Sequence, residues 1–199
     1  MFYKDNLHFG YIYHIYNRGN NREALFKEER NYYYFLDLYK KYLHQIVHLY
    51  AYCLLPTHFH LMVRIRDLDT IENCIQDESQ IWLLFRTFLG TYTKAINKAY
   101  QRTGHLFEGR YSRKLILKDD YFYRLIVYIH QNPQNHGIVQ DYKIWPFSSF
   151  NAYIRQDRRS IVAKEVLFDR DLYNTIMDTH ELESIKSICE GIKKGNGFL

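Results

Sequence analysis

The stretch from Leu49 to Ile65, "LYAYCLLPTHFHLMVRI", constrains the fold more than any other part of the chain. It holds two apolar runs of strand type, parted only by the step Pro56-Thr57. Two strands joined so tightly pair as an antiparallel hairpin, because parallel strands need a long crossover. The patterning on either side alternates between strand and helix. "YIYHIYNRG" (11–19) has the period of a strand and is broken by Gly and Asn in "NRGNNRE". From about Glu28 to Val47, apolar residues at 32, 35, 36, 39, 43, 46 and 47 follow a helical period. "IWLLFRTFLGTYTKAINKAYQRTG" (81–104) predicts a long helix closed by Gly104. "GRYSRKLILKDD" predicts a basic loop and a strand, after which Asp119 or Asp120 caps the helix "YFYRLIVYIHQN" and Pro133 ends it.

The order strand, helix, strand, strand, helix, strand, helix predicts an α+β fold. The expected architecture is a ferredoxin-like sandwich, an antiparallel sheet with helices on one face. Past "WPFSSF" (145–150), residues 160–199 read as short helices of a small C-terminal appendage, which places the domain boundary between 153 and 154.

Composition narrows the setting. At 199 residues and 47% apolar, the chain can bury a real core, which excludes wholesale disorder. No stretch approaches the length of a membrane helix, and "MFYKDNLHFG" lacks the pattern of a secretory signal. Cys53, Cys74 and Cys189 are odd in number and far apart, which fits neither a disulfide framework nor a zinc–cysteine site. A reducing cytoplasm is the expected compartment. A net charge of +5 and 20 tyrosines suit a polyanion partner without requiring one.

Strand alternation gives the hairpin its chemistry. In a strand over 58–65, Phe59, Leu61 and Val63 form a core face, and His58, His60 and Met62 point the other way. Two imidazoles two residues apart can converge on one ion, but with 10 histidines in the chain a bare His-x-His pair is weak evidence. A third ligand must come from elsewhere. On the helix ending at Pro133, Tyr121, Leu125, Tyr128 and Asn132 form one stripe, so Tyr128 and Asn132 stand one turn apart. Read from spacing alone, Tyr128 is far more readily a packing aromatic and Asn132 a C-terminal cap.

Four segments, "HIYNRGNNREALF", "AYCLLPTHFHLMV", "GHLFEGRYSRKLI" and "YFYRLIVYIHQNPQNHG", together with "WPFSSF", resemble the single-tyrosine HUH transposases (IS200-like domain). Within that family the chain looks most like the REP-associated tyrosine transposases. One position departs: Thr57 stands where the family usually has Asn before the first histidine. The resemblance implies a transposase domain over 1–153, followed by the appendage at 154–199. It implies that His58 and His60 bind a divalent metal, Mg(II) or Mn(II), with Asn132 as third ligand. It also implies that Tyr128 attacks a DNA phosphate to form a 5′-phosphotyrosine link. His130 should point away from the metal, and Gln131 is only a neighbour. The implied partner is single-stranded or hairpin DNA. Arg18, Arg22, Arg110, Tyr111, Arg113 and Lys114 are candidate DNA contacts, and Arg124 or Lys114 a candidate cation beside the nucleophile. Transposases of the wider family pair up, which allows a homodimer. Two rival readings stay open at this point: a nucleic-acid-binding module of the same fold without chemistry, and a metal-dependent hydrolase that uses water.

Overall fold

Alternation in the hairpin carries directly into the sheet. The computed structural model describes residues 6–71, 75–117 and 119–167, with 169 and 174. Strand β1 (Ile12–Arg18) leads to helix α1 (Glu29–Tyr42), the hairpin β2 (Val47–Leu55) and β3 (His58–Ile65), then α2 (Ile81–Ala99), β4 (Ser112–Ile116) and α3 (Asp119–Asn135). Two short helices follow, α4 (Phe150–Arg155) and α5 (Lys164–Leu167). The strands form one antiparallel sheet in the order β2-β3-β1-β4. This is the expected α+β, ferredoxin-like arrangement.

Each sheet face has its own core. Tyr13, Ile15, Phe59, Leu61 and Val63 point towards α1 and α2, where Phe35, Phe88 and Tyr92 cover them. The Phe35 and Phe59 rings lie 5.1 Å apart, and both are fully buried. The other face carries Cys53, Leu55, Met62 and Ile116, and α3 covers it with Leu125, Ile126 and Ile129. Helices on one face therefore describes α1 and α2 only. The third helix crosses to the opposite face because its apolar stripe needs the second side of the sheet. Strand β2 serves both cores through a bulge: Leu49 pairs with Val63 but Ala51 with Met62, so the extra residue Tyr50 reverses the alternation.

Helix ends differ from expectation for local reasons. Helix α2 stops at Ala99, not at Gly104. Gln101 takes the left-handed conformation (φ +50°), and Arg102 N–H reaches back to the Asn97 carbonyl at 3.0 Å, a Schellman-type stop. Helix α1 ends at Tyr42, since Val47 already belongs to β2. Asp119 and Asp120 are the first residues of α3, not residues preceding it. Pro133 lies inside α3 instead of ending it. The turn holds past the proline because His136 N–H bonds the Asn132 carbonyl at 3.0 Å and the Asn132 side-chain amide donates to the Tyr128 carbonyl at 3.1 Å.

The described part of the appendage is tied to the sheet. Ala163 N–H donates to the Leu49 carbonyl at 2.8 Å, and Val162, Val166 and Leu167 join the α3-side core. Cys74, Cys189 and most of the expected helices beyond 167 lie outside the described residues. No described helix is long and apolar enough to cross a membrane.

Candidate functional site

The site forms where the β1/β3 register and α3 meet. In that register Arg18 faces His58, Tyr16 faces His60, and His14 faces Met62, so His14, Tyr16, Arg18, His58 and His60 share the α3 side. The imidazoles of His58 and His60 stand perpendicular, with ring centroids 5.3 Å apart. Two imidazoles on one ion, at ordinary metal–nitrogen lengths and angles, have centroids about 4.5–5.2 Å apart, so this pair is close to a chelating geometry. The Tyr128 ring lies 5.7 Å from the His60 ring. One turn further along α3, Asn132 is fully buried.

Electrostatics leave these groups ready to donate lone pairs. Burial, with help from neighbouring His136 and Arg18, pushes His58 down to about 4. Burial and the surrounding histidines hold His60 well below its ordinary value. Burial and then Lys114 push His14 down to about 3. All three are neutral at pH 7. The Asn132 amide stands beside His58 and His60 and partly offsets the depression of each, yet its Oδ1 accepts no hydrogen bond of proper geometry. A buried amide oxygen without a partner, beside two neutral imidazoles, fits a divalent ion. Among the described residues no three His, Cys, Asp or Glu side chains form such a group, and Asn132 Oδ1 is the amide oxygen beside the pair.

Two further histidines belong to this neighbourhood. His14 Nε2 and His60 Nδ1 are 2.9 Å apart. His136 sits eight residues after Tyr128, and its ring lies 4.6 Å from that of His58. Reading Pro133 as the end of the helix cuts the Tyr128–Asn132 stripe one turn short and hides His136. His14 depends on strand register, which β1 alone does not reveal. His130, as expected, points away: it is buried and its Nε2 lies 2.7 Å from Ser149 Oγ.

The candidate DNA contacts divide. Arg18 forms a two-pronged ion pair with Glu108, whose second bond is 2.9 Å, and Arg22 lies near the same carboxylate. The intervening Gly19 donates its N–H to the Thr57 carbonyl at 2.7 Å, which ties this loop to the turn before His58. A Cβ on Gly19 would strike the Glu23 carbonyl, so only glycine allows the loop to fold back here. Lys114 is exposed and faces His14 across β1/β4, on the site's side of the sheet. Arg113 faces Ile15 on the opposite side, with its guanidinium 5.5 Å from the Tyr111 ring. Arg110 is exposed in the loop before β4, and Arg124 is exposed one turn before Tyr128. Tyr111 is not a surface for stacking bases. It is buried, packs 5.5 Å from Phe85 and belongs to the α2-side core.

No protein-family model matches the chain. A Haemophilus influenzae protein named as a REP-associated tyrosine transposase is 29% identical over 109 residues, 54% of this chain and 61% of the relative. The chain thus spans less than two thirds of that relative's length. A solved structure of a REP-associated tyrosine transposase bound to a REP hairpin superposes with a TM-score of 0.60 at 17% identity, covering 82% of this chain and 90% of that one. This chain resembles the REP-associated tyrosine transposases. The first likeness is one of sequence and the second one of fold. In this chain the histidine pair on β3 and Tyr128 on α3 face each other between the sheet and that helix.

Proposed function

We propose that the protein nicks and rejoins single-stranded or hairpin DNA through a covalent tyrosine intermediate, as REP-associated tyrosine transposases are expected to do. One observation carries this reading: Tyr128 stands beside His60, one helical turn from a buried amide oxygen that has no partner. The fold shared with a hairpin-bound transposase supports DNA as the substrate class.

His58, His60 and Asn132 would hold the ion, Mg(II) or Mn(II) by resemblance to the family. When bound, such an ion supplies Lewis-acid polarisation of the scissile phosphate. The chain's own residues do the rest. The Tyr128 oxygen attacks phosphorus and gives up its proton, the bond from phosphorus to the 3′ oxygen breaks, and that oxygen leaves as a 3′-hydroxyl. One phosphodiester replaces another of similar energy, so reversal with a different 3′-hydroxyl rejoins DNA without a nucleotide cofactor. Arg18 and Lys114, on the site's side of the sheet, align the strand through its phosphates, which positions it without reading its sequence.

Incubation with a hairpin oligonucleotide and Mn(II) tests the reading. Wild-type protein should give a protein–DNA adduct that survives SDS, and Tyr128→Phe and His58→Ala should give neither adduct nor cleavage. Cleavage by Tyr128→Phe would point to a water-using hydrolase, and unchanged binding with no cleavage by wild type to a pure binding module. Either result overturns the proposal.

A further inference from the structure

His14 is buried and reaches the one ring nitrogen of His60 that faces away from the cleft. Its ring is stacked on His60 at 5.1 Å and flanked by Tyr16 at 4.7 Å. Two ring nitrogens 2.9 Å apart share one proton, which sits either on His60 Nδ1 or on His14 Nε2. The choice fixes the other end of His60. A proton on Nδ1 leaves Nε2 with a lone pair towards Asn132 and Tyr128. A proton on His14 instead forces His60 to carry its own on Nε2, where it blocks a metal. Metal-binding histidines ordinarily donate their second ring N–H to such an acceptor.

We propose that His14 is a positioning residue that accepts the Nδ1 proton of His60 and so holds the His60 Nε2 lone pair in the cleft. The inference rests on the metal reading above and assigns a role that lies outside the ligand set. His14 comes from β1 and His60 from β3, so the sheet register itself sets the tautomer.

Two measurements test it on the full chain. In the first, titration with Mn(II) compares wild type, His14→Phe, His14→Gln and His60→Ala. His14→Phe should bind 10–100-fold more weakly than wild type. His14→Gln, which keeps an acceptor, should recover most of that loss. In the second, long-range nitrogen–proton NMR of wild type with Mg(II) should show His60 protonated on Nδ1. Equal Mn(II) affinity in His14→Phe and wild type, or His60 protonated on Nε2 with Mg(II) bound, would overturn the inference while leaving the metal site intact. Failure of wild type to bind Mn(II) more tightly than His60→Ala would instead remove the metal reading, and this inference with it.

Discussion

Burying an amide oxygen without a partner costs about 1–3 kcal/mol, and Asn132 bears that cost at the centre of the site. Stability alone does not explain such a residue. Asn132→Ala removes the orphaned oxygen together with one hydrogen bond to the Tyr128 carbonyl. The two losses oppose each other, so the variant's unfolding free energy should stay within about 1 kcal/mol of wild type in urea denaturation. Its Mn(II) affinity should fall at least tenfold in the same preparation. A large loss of stability with unchanged affinity would make Asn132 a structural residue. At this scale the sequence is informative where side-chain direction follows from local period. His58 and His60 share a face because strands alternate, and Tyr128 and Asn132 share one because helices repeat every 3.6 residues. His14 and His136 escape such reading. One needs the pairing of β1 with β3, and the other needs the turn to persist through Pro133.

Among the elements, β3 does two jobs with alternate residues. His58 and His60 face the cleft, and Phe59 between them is fully buried against Phe35 and Phe107 on the other side. Phe59→Ala should cost about 3–5 kcal/mol in chemical denaturation. Phe59→Leu should cost clearly less and keep Mn(II) binding, because it fills most of the space that orders the strand. The hairpin, its turn at Pro56-Thr57 and the helical identity of α1, α2 and α3 were readable, since each is a matter of period and breakers, whereas the start of β2 at Val47 was not. The bulge at Tyr50 was not. "LYAYCLL" has no break in its apolar character, and the reversal exists only because two cores compete for one strand. The side of the sheet that α3 covers is likewise a packing outcome, invisible in the helix's own stripe. The element "WPFSSF" matched a family pattern without a physical role. In the fold, Trp145 Nε1 donates to the Leu54 carbonyl at 3.0 Å, and Ser149 N–H to the Tyr52 carbonyl at 2.9 Å.

For the molecule as a whole, the buried neutral histidines make acid the main threat. Burial lowers His14 and His130 to about 3 from an ordinary 6.5. Between those values the unfolded chain binds protons that the folded chain does not, so stability drops as pH falls through that window and is retained above about 6.5. Each should cost about 2 kcal/mol between pH 7 and pH 5, at 1.36 kcal/mol per pH unit across the part of that range below 6.5. Thermal denaturation of metal-free protein at the two pH values checks this; a flat or rising melting temperature on acidification would contradict it. The same whole-molecule view gives the stitching along β2 a second meaning. Strand order puts β2 at a margin of the sheet, and residues 147–149 and 163 already occupy its outward amides and carbonyls at Leu49, Tyr52 and Leu54. Fibrillar growth by sheet addition needs two open margins on every copy, so that each new chain presents a fresh one. Among the described residues, that leaves β4 as the margin at which another strand could add. Pairing of two copies through that margin would use it up on both, and so close at two.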